Sequence, residues 1–249
     1  IDYGPYGWLE GYDPDWTPNT TDAQSGRYRY GHQPGVGLWN VARLAEAFHP
    51  LIQDEPALNG VLDAYREAFA AGQDAGFTAK LGLGAWRGED EALVGDLLDR
   101  LRDAETDMPI FYRLLSGLDV AGPAGARSDA DWVAAITPAF YDADGVDSEQ
   151  RAAWAAWLRR WAERVRGGAP NAERQAAMKR ANPKYVLRNW MAQQAIDAAE
   201  QGDLAELHRL FELLQRPYAE QPEHEVAYFQ RRPEWARHKP GCSMLSCSS

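Results

Sequence analysis

Trp154-Ala155-Ala156-Trp157-Leu158-Arg159-Arg160-Trp161-Ala162-Glu163-Arg164-Val165 is the stretch on which the fold reading turns. Trp154, Trp157, Leu158, Trp161 and Val165 recur at intervals of three and four, the spacing that places them on one face of an α-helix. Three large indoles on one face imply a deep apolar core, so the stripe is read as core. The chain holds 10 Trp in 249 residues, which extends that reading to a large, well-filled interior.

The same spacing recurs on either side. Leu38, Val41, Leu44, Ala45 and Phe48 form one stripe, and Leu58, Val61, Leu62, Tyr65 and Phe69 form another behind Pro56, which suits a first helical turn. Leu93, Val94, Leu97, Leu98 and Leu101 make a third, and residues 110–115 a shorter fourth. Asn182-Pro183 predicts an N-cap followed by Pro at the first helical position, with a helix running to about Glu200 and stopping at Gly202. Asp203 and Glu206 have the spacing of a capping box for a helix through Leu204, Leu207, Leu210, Phe211 and Leu214, which Pro217 ends. There is no internal repeat and no βαβ alternation. The expected fold class is mainly α.

Three regions lack helical period. Residues 1 to about 37, rich in Gly, Pro, Asp, Asn and Tyr, predict a long loop ordered by its aromatic side chains, with a short extended piece at 27–30. Residues 117–131 read as a connector, and the Pro-punctuated last thirty residues as a surface-wrapping tail. The domain reading is therefore 1–37, a functional loop; 38–216, a helical body; and 217–249, the tail.

A net charge of −11 disfavours a nucleic-acid partner, because no basic surplus is available to displace counterions. No apolar run approaches the roughly 20 residues that span a bilayer, so no membrane partner is expected. Only Cys242 and Cys247 occur, both within the last eight residues, a pattern that fits a reducing, cytoplasmic compartment better than a disulfide framework. The first residues, Ile1-Asp2-Tyr3-Gly4-Pro5, read as the middle of a tight turn, so the chain is expected to be the C-terminal part of a longer polypeptide whose targeting signals cannot be judged.

Most candidate chemistry has a plainer reading. Asp142-Ala143-Asp144-Gly145-Val146-Asp147 has its glycine in the wrong place for a calcium loop and Ala153 where the bidentate Glu belongs, so it reads as a solvated helix entry. Leu81-Gly82-Leu83-Gly84 lacks the Lys-Ser/Thr of a phosphate loop and reads as a turn. His32, His49, His208, His224 and His238 show no paired ligand spacing. Asp2-Tyr3-Gly4 is like the kinase Asp-Phe-Gly element, whose Asp holds a metal bridging nucleotide phosphates, although a lone Asp-x-Gly also has the composition of an ordinary turn.

Longer strings decide more. Asp2-Tyr3-Gly4-Pro5-Tyr6-Gly7, Gly26-Arg27-Tyr28, Gln33-Pro34 and Gly37-Leu38-Trp39-Asn40 resemble the selenoprotein O (YdiU-like) family. So do Asn182-Pro183-Lys184-Tyr185-Val186-Leu187-Arg188-Asn189-Trp190, Ala192-Gln193-Gln194-Ala195-Ile196, Arg232-Pro233-Glu234-Trp235-Ala236 and Cys247-Ser248-Ser249. The strings run in family order over essentially the whole chain. The resemblance implies the C-lobe side of a protein-kinase-like fold with a helical C-terminal extension. It also implies a protein nucleotidyltransferase that moves AMP from ATP, or UMP from UTP, to Ser, Thr or Tyr hydroxyls of protein substrates, with Mg2+ or Mn2+. Asp2 matches the family's metal-binding, nucleotide-site Asp. The base, the second metal ligand and the phosphate clamp are expected before Ile1, so the chain on its own is expected to be catalytically silent and to leave an apolar face uncovered. A pseudokinase-type scaffold is the alternative.

For the tail, the resemblance places Cys247 where some members carry selenocysteine. The loop Cys that other members pair with the tail is Pro18 here, which leaves Cys242 as the one partner for Cys247. An exposed redox handle and two ordinary reduced thiols are both open readings of Cys242 and Cys247.

Overall fold

A computed structural model describes residues 8–17, 25–122, 127–239 and Cys242. It is mainly helical: α1 (Gln33–Ile52), α2 (Glu55–Leu81), α3 (Asp90–Asp103), α4 (Met108–Gly117), α5 (Asp129–Ala134), α6 (Ser148–Arg166), α7 (Asn171–Ala181), α8 (Asn189–Ala199), α9 (Ala205–Leu214) and α10 (Pro222–Tyr228). Two isolated antiparallel bridges, Gly11 with Asp107 and Thr106 with Phe140, are the only β pairing among the described residues. No helix there is long and apolar enough to cross a membrane.

Local chemistry sets most boundaries. The Asp54 carboxylate accepts the Ala57 N–H at 3.0 Å with Pro56 in the first turn of α2. Asp107 does the same for Ile110 at 3.1 Å, opening α4 before Pro109. Asp147 and Gln150 form a reciprocal capping box at the start of α6, with side-chain-to-backbone distances of 2.8 and 3.0 Å. The acidic run 142–147 is thus a helix entry. Leu81-Gly82-Leu83-Gly84 is a turn: Gly82 closes α2 at φ +67°, and a Cβ there would lie 2.7 Å from the Met178 sulfur.

The main core forms around α6. Trp154, Trp157 and Trp161 are buried with Phe111 and Phe140, and the Trp157 and Trp161 rings stack at 6.4 Å between centroids. Their indole N–H groups donate to the Leu93 and Leu81 carbonyls at 2.9 and 2.8 Å, tying α6 to α3 and to the end of α2. A second cluster joins Tyr185, Trp190, Met191, Leu210, Leu213, Tyr228 and Cys242 where α8 meets α9.

Several local expectations differ from the structure. Asn182 does not cap a following helix; it is the extended C-cap of α7, with φ −115° and ψ 101°. Pro183 disfavours a helical conformation for the residue before it, and the Asn182 amide is drawn inward to the Lys80 carbonyl and the Ser116 hydroxyl at 2.8 and 3.1 Å. Residues 183–188 form no helix, and α8 starts only at Asn189. The box predicted at Asp203 and Glu206 does not form either. Asp203 accepts from Ala205 N–H, while Glu206 turns to the Tyr228 hydroxyl at 2.8 Å and to Arg209. Residues 27–30 lead into a short 3-10 turn (Tyr30–His32) and α1 begins at Gln33, because Pro34 suits a first turn.

The stripes on α1 and α2 form as predicted but stay at the surface. No residue of α1 is buried, and Leu44, Phe48, Leu51, Val61 and Phe69 are exposed. The two helices pack on each other, with the Tyr65 hydroxyl donating to the Pro34 carbonyl at 2.9 Å.

Candidate functional site

Glu10, eight positions after Asp2, is a carboxylate that the fold takes inside. Its backbone carbonyl accepts the Met108 N–H at 2.8 Å, and the next residue, Gly11, bridges Asp107. Its side chain meets the Arg188 guanidinium at 3.3 Å. Arg188 is 2% exposed and forks onto both oxygens of Asp107, 0% exposed, at 2.6 and 3.0 Å. The Tyr141 hydroxyl donates to the same Asp107 carboxylate at 3.0 Å, and Arg232 closes the outer side 3.6 Å from Glu10.

Two carboxylates around one fully enclosed guanidinium leave an excess negative charge, which Arg232 offsets. Burial raises the Glu10 carboxyl above its ordinary value although Arg188 opposes it, and burial together with Asp107 raises the Tyr141 phenol. Burial alone would lower Arg188, yet Asp107 and Glu10 hold it firmly charged. Every oxygen of Asp107 is committed, so this cluster acts as an anchor. It pins the backbone at Glu10 and Gly11, and Trp8 N–H is held by the Asn189 side chain at 3.1 Å. The tail is tied beside it. Arg231 donates to the Phe140 and Tyr141 carbonyls, and Arg232 and Arg237 reach Glu105 at 3.0 and 3.2 Å.

A second charged knot holds 183–188 to the approach to α10. Glu220 receives Arg113 at 2.7 Å, Lys179 at 2.9 Å and Lys184 at 3.1 Å, and Lys184 also reaches Glu225 at 2.7 Å. Burial works against the Glu220 charge, but Lys179, Lys184 and Arg113 outweigh it and hold the carboxyl down at about 2. A carboxyl depressed in the fold stabilises it above its ordinary value of 4.5 and loses that contribution as pH falls through about 2. Stability measured by denaturant against pH should therefore fall between those values in the wild-type chain. The Glu220→Gln variant should be less stable at neutral pH and show a flatter acid limb; identical acid limbs would remove this role.

Asp2 and Cys247 lie outside the described residues. Cys242 is not the exposed thiol that the redox-handle reading expects: it is 4% exposed in the second cluster, and its carbonyl accepts from the Asn189 side chain at 3.1 Å. Burial pushes its thiol up despite nearby Lys239, which lowers its thiolate fraction. Among the described residues, no group of three or more His, Cys, Asp or Glu side chains could hold a metal ion.

Residues 1–215 match the family model described as protein adenylyltransferase SelO. The chain belongs to the SelO family. Protein nucleotidyltransferase YdiU of Xanthomonas campestris pv. campestris (strain B100) is 50% identical over 250 residues, covering 100% of this chain and 46% of that protein. Proteins of the same name from Nitrosospira multiformis and Rhodopirellula baltica are 48% and 46% identical, again over 100% of this chain and 47% of theirs. The chain thus spans about half the length of these curated relatives.

The span matched to the SelO family includes Asp2, Glu10, Asp107 and Arg188, whereas Arg232 and Cys242 fall beyond it. Sequence reading missed the anchor. Arg188 stood inside a family-like string, but its partners lie 81 and 178 positions away. The one available signal was a permanently charged residue between Leu187 and Trp190, in a stretch otherwise fit for burial.

Proposed function

We propose that this chain is the C-terminal part of a metal-dependent protein nucleotidyltransferase that transfers AMP from ATP to Ser, Thr or Tyr hydroxyls of other proteins, with UTP as the alternative nucleotide. The match of residues 1–215 to the protein adenylyltransferase family carries this reading, and the relatives' name, protein nucleotidyltransferase, supports it. The helical body is consistent with the C-lobe side of a protein-kinase-like fold. In this reading 1–37 is the metal-binding and activation-segment-like loop, 38–216 the C-lobe with its extension, and 217–249 the tail.

Asp2 is the proposed metal ligand. Mg2+ or Mn2+, when bound, would neutralise phosphate charge. The described residues do not form a metal site by themselves. What they supply is a fixed point: the Glu10–Arg188–Asp107 anchor holds the backbone at Glu10, eight positions beyond Asp2.

The test is transfer of label from α-labelled ATP to protein by the full-length enzyme. Asp2→Ala should lower the rate about a hundredfold, the loss of about 3 kcal/mol expected for a metal contact made in the transition state. Near-normal transfer by that variant would remove Asp2 from the site. Nucleotide binding without transfer from either ATP or UTP would replace the enzyme with the scaffold reading.

A further inference from the structure

A cleft of about 370 Å³ lies between the segment after Trp8, the second half of α2, the start of α4 and the extended residues after Asn182. Leu9, Tyr12, Phe77, Met108, Tyr112 and Val186 make its walls largely apolar. Its volume falls in the range of small-molecule sites. Lys80, from the last turn of α2, lines the same cleft. No carboxylate meets it among the described residues: its ammonium lies 4.9 Å from the Tyr112 ring centroid, and burial alone acts on it, lowering its proton affinity. At the floor, Asn182 is 1% exposed and its amide N–H groups go to the Lys80 carbonyl and the Ser116 hydroxyl, while its Oδ1 accepts no hydrogen bond.

A half-buried cation without an anion is disfavoured unless something compensates it. The helix C-terminus and the Tyr112 ring do so in part. The geometry points to a binding site for a small monocarboxylate with an aromatic or branched aliphatic body, the carboxylate meeting Lys80 and the body filling the apolar cleft. A single cation matches a single negative charge. A phosphate dianion or a nucleotide would bring more charge into the cleft than one lysine offsets, and its desolvation would go uncompensated. This inference does not rest on the nucleotidyltransferase reading.

Calorimetric titration of the chain with 3-phenylpropanoate and 4-methylpentanoate tests it, with 3-phenylpropanamide and inorganic phosphate as comparison ligands. At least one of the two acids should bind saturably at 1:1. Its affinity should fall about tenfold or more in Lys80→Met, as expected for loss of a charge-assisted contact, and the amide should bind correspondingly more weakly than its acid. Gly76→Phe gives an independent block: Gly76 borders the cleft, and a Cβ there meets no atom within 4 Å, so the ring can enter the cleft without disturbing α2. That variant should keep its helical circular dichroism and lose binding. The proposal is overturned if neither acid binds at millimolar concentration, if both variants bind like wild type, or if the amide or phosphate binds as tightly as the acids.

Discussion

Arg188→Met is expected to destabilise the chain by about 3–5 kcal/mol, the range for breaking a buried ion pair by removing one partner. The methionine fills much of the arginine's volume, so the loss would come mainly from charge. Asp107 has no exposure, and its carboxylate would keep only the Ile110 N–H and the Tyr141 hydroxyl as partners. Glu10 would lose the nearer of its two guanidinium neighbours, with Arg232 left at 3.6 Å. Arg188→Lys should fall between, because an ammonium cannot span both Asp107 oxygens as the guanidinium does at 2.6 and 3.0 Å. Adding Asp107→Asn to Arg188→Met should recover part of the loss, since the amide oxygen can still cap α4 while its NH2 donates to the Tyr141 hydroxyl oxygen, with no naked charge left. Urea denaturation of the three variants and the wild type measures this. A loss under about 1 kcal/mol for Arg188→Met would mean that the pair is solvated, as exposed pairs are.

Trp157→Ala should cost a comparable amount, about 3–5 kcal/mol. Trp157 is 1% exposed, packs against Phe111, Trp154 and Trp161, and donates its indole N–H to the Leu93 carbonyl. Truncation would open a cavity among rings held by α4 and α6, and such a site collapses poorly. Trp157→Phe should lose roughly 1–2 kcal/mol, keeping most of the apolar contact but not the hydrogen bond. The paired measurement is Phe48→Ala on α1, where the side chain is 45% exposed and the change should stay within about 0.5 kcal/mol. Equal losses at the two positions would contradict the burial that separates α6 from α1.

That comparison marks how far periodicity reaches. The stripes at Leu38–Phe48 and at Trp154–Val165 carry the same helical signal, and both helices form. Spacing reports which side chains share a face; it carries no information on what lies opposite. The α6 face meets α3 and α5, while α1 meets α2 and otherwise stays open. Capping chemistry shows a similar limit. Asp54 and Asp147 cap because their partners lie within one helical turn, and Asp107 keeps its cap on Ile110 while also taking Arg188 and Tyr141 from a distance. Asn182 has the right chemistry for a cap, but the Lys80 carbonyl and Ser116, each more than sixty positions away, take its amide instead.

The sequence by itself therefore determined the helical class, the positions of most helices, the plain structural roles of the acidic run at 142–147 and the glycines at 81–84, and, through long strings rather than single motifs, the family. These depend on interactions within about one helical turn, or on residue order. Only the tertiary structure decided that Glu10, Asp107 and Arg188 form one buried anchor, that Cys242 is enclosed, and that Lys80 lines an apolar cleft where no carboxylate among the described residues meets it. Each of these depends on desolvation and on partners brought together from distant parts of the chain, and neither quantity is written in local spacing.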